Sequence, residues 1–252
     1  MNVVVIGGCH VGNYGVQSHL GFVQQWATHL KISTHEVVHI NCLSMVKLEH
    51  IPSLISQYHA ELMDADLIIL QLGHYELSWR KRFSELFQAE SSECIANTTY
   101  RSTLPKSLTT AIFSYKPTRT SQREQLKNGI KTAILSTYYQ VGGEIPFLNQ
   151  FRNKLTKAFT LLSAYQNKIV VLTPFPTLNK LDQWLRKKSN SFIIESALGA
   201  GLNIADTFDA VPRQKAYFLA DGVHLNSLGH MIIALYLSEL PLLTYHVAEQ
   251  PA

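Results

Sequence analysis

Short runs rich in Val and Ile recur along the chain with helical segments between them, and this alternation constrains the fold more than any other feature. Five runs qualify: Asn2 to Gly7, Glu36 to Asn41, Asp66 to Leu72, Lys168 to Thr173 and Leu202 to Asp206. Near-continuous apolar strands separated by helices argue for βαβ units and a parallel sheet buried on both faces. The intervening segments carry helical spacing. Leu148, Phe151, Leu155, Ala158, Leu162 and Tyr165 step by three and four residues and so share one face. Val16, Leu20, Val23, Ala27 and Leu30 do the same, as do Leu126, Ile130, Ile134 and Tyr138. Ser227 is a suitable cap for a last helix running to about Leu237. The expected fold class is α/β, with three α/β/α layers around a central, mainly parallel five-stranded sheet.

The chain has 252 residues, 46% of them apolar, enough for one α/β domain over 1–252 with a sizeable core. The distance from the third run to the fourth is long, which predicts a helical and loop insertion at about 80–145. Its part from 88 to 122 is polar, rich in Ser and Thr, and without sustained periodicity. No apolar stretch approaches the roughly 20 residues that span a bilayer. The first residues lack a basic leader and a small-residue cleavage site and read directly as a buried strand, so a cytoplasmic location is expected. Cys9, Cys42 and Cys94 are too few and too scattered for a disulfide framework, and none stands in a CxxC pair. No cofactor or metal motif is present. The net charge of +4 is uneven, since residues 80–131 hold ten Lys and Arg against four Glu; that segment is +6 and the rest −2.

In an open parallel sheet, ligands bind beyond the carboxyl ends of the strands. The first run ends in Gly7-Gly8-Cys9-His10-Val11-Gly12, and a helix is expected at once. Cys9 near a helix N-terminus would meet unpaired N–H groups that favour a thiolate and a developing oxyanion. A tight glycine turn with Cys9 as a small buried hydrophobe explains the stretch equally well. A phosphate-cradling loop is discounted, because the glycines match neither GxGxxG nor the Walker pattern. Near the C-terminus, Asp221-Gly222-Val223-His224 places a carboxylate three residues before an imidazole across a glycine turn. The carboxylate can orient the imidazole while the other ring nitrogen serves a nucleophile. By itself an isolated DxxH is more often only a turn beside a packed histidine.

The combination carries more. A glycine-flanked nucleophile after strand one and a DxxH before the final helix resemble, in chain order, the SGNH or GDSL-like hydrolases, whose fold is flavodoxin-like. Gly7-Gly8-Cys9 stands where that family has Gly-Asp-Ser, and Asp221-Gly222-Val223-His224-Leu225-Asn226 with Gly229-His230 is similar to its closing DGxHLN…GH block. The Cys at the nucleophile position is similar to the Gly-Ser-Cys first block of the GSCFA proteins. Leu72-Gly73-His74-Tyr75-Glu76 sits at the third block, with Tyr75 where the family has the asparagine that donates to the oxyanion. Asn41-Cys42-Leu43-Ser44 sits at the second block without its glycine. Thr173-Pro174-Phe175-Pro176 resembles the proline-bearing edge of SGNH sites, and a loop leaving a strand explains it equally.

The resemblance implies an acyl hydrolase or acyltransferase with a Cys9-His224-Asp221 triad working through a thioester, acting on an ester or thioester substrate. Gly8, His10, Ser44, Gly73, His74 and Tyr75 border the expected oxyanion and substrate side, although His10 is expected to face away along the helix start. Cys42, expected near Cys9, reads first as a core residue and second as another thiol of the site. The basic segment 80–131 reads first as a solvated face and second as contact with an acidic carrier protein or a phosphate-bearing acyl donor; no motif for nucleic acid accompanies it. Trp79, Phe83, Phe87, Phe113 and Tyr115 either pack normally or line an acyl pocket. A catalytically silent scaffold that binds a ligand or partner is the competing reading: Tyr75 and the missing glycine favour it, and the retained DxxH opposes it.

Overall fold

The computed structural model describes residues 1–73, 76–77, 83–88 and 121–241. His74, Tyr75, Trp79, Cys94, Phe113, Tyr115 and most cations of the basic segment lie outside them. The described residues form five strands, β1 (Asn2–Gly7), β2 (His39–Leu43), β3 (Leu67–Gln71), β4 (Ile169–Leu172) and β5 (Asn203–Ala205). All neighbours pair in parallel, in the order β2-β1-β3-β4-β5. Each strand falls on one of the five expected runs, although β2 starts three residues later and ends two residues later than its run.

Alternation along the strands divides the core. Val3, Val5, Leu67 and Ile69 face α1 (Phe22–Thr34) and α7 (Ser227–Ser238). Val4, Ile6, Ile68 and Leu70 face α2 (Ile51–Gln57), α3 (His59–Asp64), α5 (Pro146–Leu162) and α6 (Lys180–Gly199). Successive side chains of a strand point to opposite faces, so a strand with no polar alternation must have helices on both. The helix over 148–162 buries the predicted face through Leu148, Phe151, Leu155, Ala158 and Leu162. α7 begins at Ser227 as expected, yet its cap is Asn226, whose Oδ1 accepts from Leu228 and Gly229 N–H at 3.0 and 3.1 Å. No helix of the described residues is long and apolar enough to cross a membrane.

Two expectations change. The helix over 122–140, α4 (Gln122–Gln140), exists, but Leu126, Ile130, Ile134 and Tyr138 are exposed rather than buried. Its inward side is set by Leu135, which is fully buried, and by Tyr139, whose ring meets Trp184 of α6 edge-on at 6.0 Å. The second correction concerns the chain after β1. Residues 8–16 run through consecutive turns, a short 3-10 turn follows at Ser18–Leu20, and α1 starts only at Phe22. Asn13 and Gly15 adopt φ of +57° and +77°, a region closed to a right-handed helix.

Candidate active site

The site lies at the carboxyl ends of β1 and β3, where the strand order reverses, which is where open α/β sheets place their ligands. β1 ends in Gly7 because the chain is crowded there. A Cβ on Gly7 would lie 2.7 Å from a Val11 methyl and 2.9 Å from both Gln71 Cβ and Gln71 O. Gly8 is buried and accepts from Gly12 N–H, and Tyr14 N–H closes a wider turn on Cys9 O at 3.0 Å. Cys9 therefore stands at the head of a turn, partly exposed, and not at the start of a helix, since α1 begins only at Phe22. The backbone N–H of Cys9 has no hydrogen-bond partner among the described residues, which leaves it available to an oxyanion.

The closing block forms a small hairpin. Phe218 and Leu225 pair in antiparallel fashion, and Leu219 N–H donates to His224 O at 2.8 Å. At its tip Gly222 adopts φ +68°, which suits glycine and lets Asp221 curl back on the chain. Asp221 Oδ1 accepts from the N–H of Val223 and His224 at 2.9 and 3.0 Å, and Oδ2 takes His224 Nδ1 at 2.7 Å. With Nδ1 held by Asp221, Nε2 is the ring nitrogen left to serve a nucleophile, and Cys9 stands near enough to His224 to raise its pKa. Burial opposes the charge on His224, but the Cys9 sulfur and the Asp221 carboxylate outweigh it, and the pKa is pushed up to about 10. Burial likewise opposes the charge on Asp221, and its bonds from His224 and the two backbone N–H groups hold the carboxyl below the usual range.

His10 does not face away. It is 1% exposed, with its ring centroid 5.1 Å from Phe175, 5.5 Å from His224 and 5.7 Å from His230. Its Nε2 accepts from Leu225 N–H at 3.3 Å, so the neutral ring carries its proton on Nδ1, which lies 3.9 Å from Cys9 Sγ. Being buried, His10 touches the sulfur from below rather than any substrate. Tyr14, which no motif singles out, covers His224 with ring centroids 4.3 Å apart. Spacing alone does not reveal it, because the turn that brings position 14 back over the site is built by Asn13 and Gly15.

Ser44 is buried against Gly12, where a Cβ would meet Ser44 Oγ at 3.2 Å, and Val46 N–H bonds Gly7 O at 2.9 Å. The second-block loop thus closes on the nucleophile turn. Gly73, two residues beyond β3, adopts φ +91° and packs on Phe151, on the face away from α1 and α7. Glu76, in the third block, accepts from Leu48 N–H at 2.8 Å and ties that loop to the second. Cys42 pairs in register with Val5, and burial raises its thiol pKa to about 11, which fits a core residue. Below His10, Phe175 is fully buried, and its carbonyl accepts from Arg186 Nη1. Arg186 in turn pairs with the fully buried Asp182 at 3.0 Å. Thr173 Oγ1 donates to Asp206 at 2.7 Å and accepts from Thr207 N–H. The Thr173–Pro176 segment is therefore the floor of the site. Of the expected substrate-side residues, His74 and Tyr75 lie outside the described residues, as does most of the basic segment proposed for a carrier.

A parallel α/β sheet of this order, with thiol, imidazole and carboxylate gathered at its switch point, defines the class of protein. Solved structures share the architecture. The lipase/acylhydrolase from Enterococcus faecalis superposes with a TM-score of 0.57 at 12% identity, covering 94% of this chain and 93% of its own. LAE5, an alpha/beta hydrolase enzyme from the metagenome of Lake Arreo, Spain, gives 0.56 at 12% identity over 100% of this chain and 96% of its own. TesA gives 0.54 at 13% identity over 96% and 99%. At such identities the likeness is one of fold. No family model and no curated protein matches the sequence.

Proposed function

We propose that this chain is an acyl hydrolase or acyltransferase of the SGNH type, with Cys9 as nucleophile, His224 as acid and base, and Asp221 as the group that orients His224. The observation that carries this reading is the Asp221-His224 bond at 2.7 Å, with Cys9 close enough to His224 to raise its pKa. The esterases, lipases and acylhydrolases among its fold neighbours support it.

In the first half-reaction the Cys9 sulfur, its proton held by His224, attacks the carbonyl carbon of an ester or thioester. The S–C bond forms as the carbonyl π electrons move to oxygen, which the Cys9 N–H stabilises. Collapse of the tetrahedral species breaks the bond to the leaving alkoxide or thiolate, and His224 supplies its proton. In the second half-reaction water or another acceptor gives a proton to His224 and attacks the thioester, releasing sulfur and the acyl product. His10 Nδ1–H supports the sulfur whenever it is anionic. The test is turnover of short-chain nitrophenyl esters and acyl thioesters. Cys9→Ala should abolish it, and Asp221→Asn should lower kcat by roughly 10³-fold or more, since the imidazole then loses its tautomer control. Turnover that survives Cys9→Ala would refute the assignment.

A further inference from the structure

Behind the catalytic hairpin lies a cavity of about 500 Å³, walled by the start of α6, the Phe218–Gly222 side of the hairpin, the 213–215 loop and α4. Small-molecule sites commonly enclose about 300–1,000 Å³. Cys9 does not line this cavity, but Asp221 does. Three cations converge on it: Lys180 from the first turn of α6, and Arg213 and Lys215 from the loop before the hairpin. None of the three forms an ion pair among the described residues. The carboxylate in the wall, Asp221, is already balanced by His224. Arg213 Nε donates to Thr177 O at 3.1 Å, which pins the guanidinium and leaves the two terminal nitrogens, a fork suited to phosphate oxygens. Asn128 adds an amide, and Leu178 and Leu219 add an apolar side.

The cavity is wired to the dyad. Thr177 accepts from Arg213 and donates through Oγ1 to Gly222 O at 2.9 Å, and Leu178 N–H reaches the same carbonyl at 2.7 Å. Gly222 is the neighbour of Asp221. A ligand held by Arg213 would thus bear on the turn that aims His224 at the thiol.

From this arrangement we propose that the cavity binds the phosphate groups of an organic phosphate of about nucleoside-diphosphate size. Three unpaired cations in one cavity match the two to three negative charges of such a group better than the single charge of a carboxylate. That the phosphate belongs to an acyl donor or acceptor rests on the acyl chemistry proposed above; the anion binding itself does not.

The experiment is calorimetric titration of the Cys9→Ala protein, which cannot turn over, with pyrophosphate, ADP, coenzyme A and pantetheine. The phosphate-bearing probes should bind. Pantetheine, which has no phosphate, should bind about tenfold more weakly than coenzyme A or worse. The Lys180→Glu/Lys215→Glu double variant should lose about tenfold or more, as should wild-type charges screened by about 0.5 M NaCl. Both lysines are exposed, so the double variant should keep the far-UV spectrum and thermal midpoint of the parent; Arg213→Gln gives a second, independent loss of affinity. Equal binding of coenzyme A and pantetheine, undiminished binding by the variants, or no binding of any probe at millimolar concentration would overturn the proposal. Ester turnover dependent on Cys9 without anion binding would remove this site and leave the acyl chemistry. Anion binding without turnover would do the reverse.

Discussion

The proton on His10 has one place to be. Nε2 accepts from Leu225 N–H, so Nδ1 carries it toward Cys9 Sγ at 3.9 Å. Asparagine reproduces the Nδ1 end of a histidine and glutamine the Nε2 end, which separates donation to sulfur from tethering of the hairpin. His10→Asn should keep the rate of Cys9 alkylation by iodoacetamide at pH 6 within about threefold of wild type, whereas His10→Gln should lower it about tenfold. Equal rates, or the opposite order, would reduce His10 to a tether. The neighbouring His224 offers a second reading. Cys9 is the largest influence raising its pKa to about 10, against burial, which lowers it. In Cys9→Ala the imidazole should titrate well below the wild-type midpoint when followed by NMR; an unchanged midpoint would mean that the thiol and the imidazole do not interact. At this scale the sequence was legible where chemistry repeats a pattern, as in Asp221 and His224. It was silent on Tyr14 and misleading on His10, because both depend on how a run of turns folds back.

Helix α1 begins without a capping side chain of its own, and α7 supplies the missing partner. His230 Nδ1 accepts from Phe22 N–H at 3.0 Å, satisfying one of the orphan donors of a helix start. Burial and the charge on His224 lower the His230 pKa to about 3. The unfolded chain takes up this proton near pH 6.5 and the folded chain only near 3, so the folded state binds fewer protons between them. Stability is fully present above about pH 6.5 and falls with pH below it, by up to about 1.4 kcal/mol per unit from this residue. The raised His224 pKa contributes an opposite change in this window, so urea unfolding at pH 7.5 and pH 5 should show the His230 effect as a difference: on acidification wild type should lose more, or gain less, than His230→Asn, which keeps an acceptor for Phe22. The same change in both would place the acid sensitivity elsewhere. Element positions along the chain were readable from Val and Ile runs and from three-and-four spacing. The delayed start of α1 is not legible in the apolar spacing, although Asn13 and Gly15 are residue types that tolerate positive φ. The outward face of α4 could not be read, since an apolar stripe marks a helix without saying which neighbour it meets.

Across the whole molecule, five parallel strands in the order β2-β1-β3-β4-β5 bring residues 9 and 224 together from opposite ends of the chain. Strand alternation predicts the sheet, and the sheet places both loops at one edge. What the strands alone do not specify is the layer beneath the site. There Phe175, His10, His230 and the Asp182–Arg186 pair form a buried polar and aromatic floor assembled from four separate segments. Such a floor fixes the geometry of the thiol, and although His230 and Phe175 fall in stretches that resemble family blocks, His10 and the Asp182–Arg186 pair belong to no recognisable motif. The most direct measurement is intact-mass spectrometry of the protein mixed with a short acyl thioester. Wild type should pass through a transient adduct of one acyl group, which persists in His224→Ala and is absent from Cys9→Ala. An adduct that forms equally well in Cys9→Ala, or none in any variant across a broad panel of acyl donors, would contradict the assignment of Cys9 as the nucleophile.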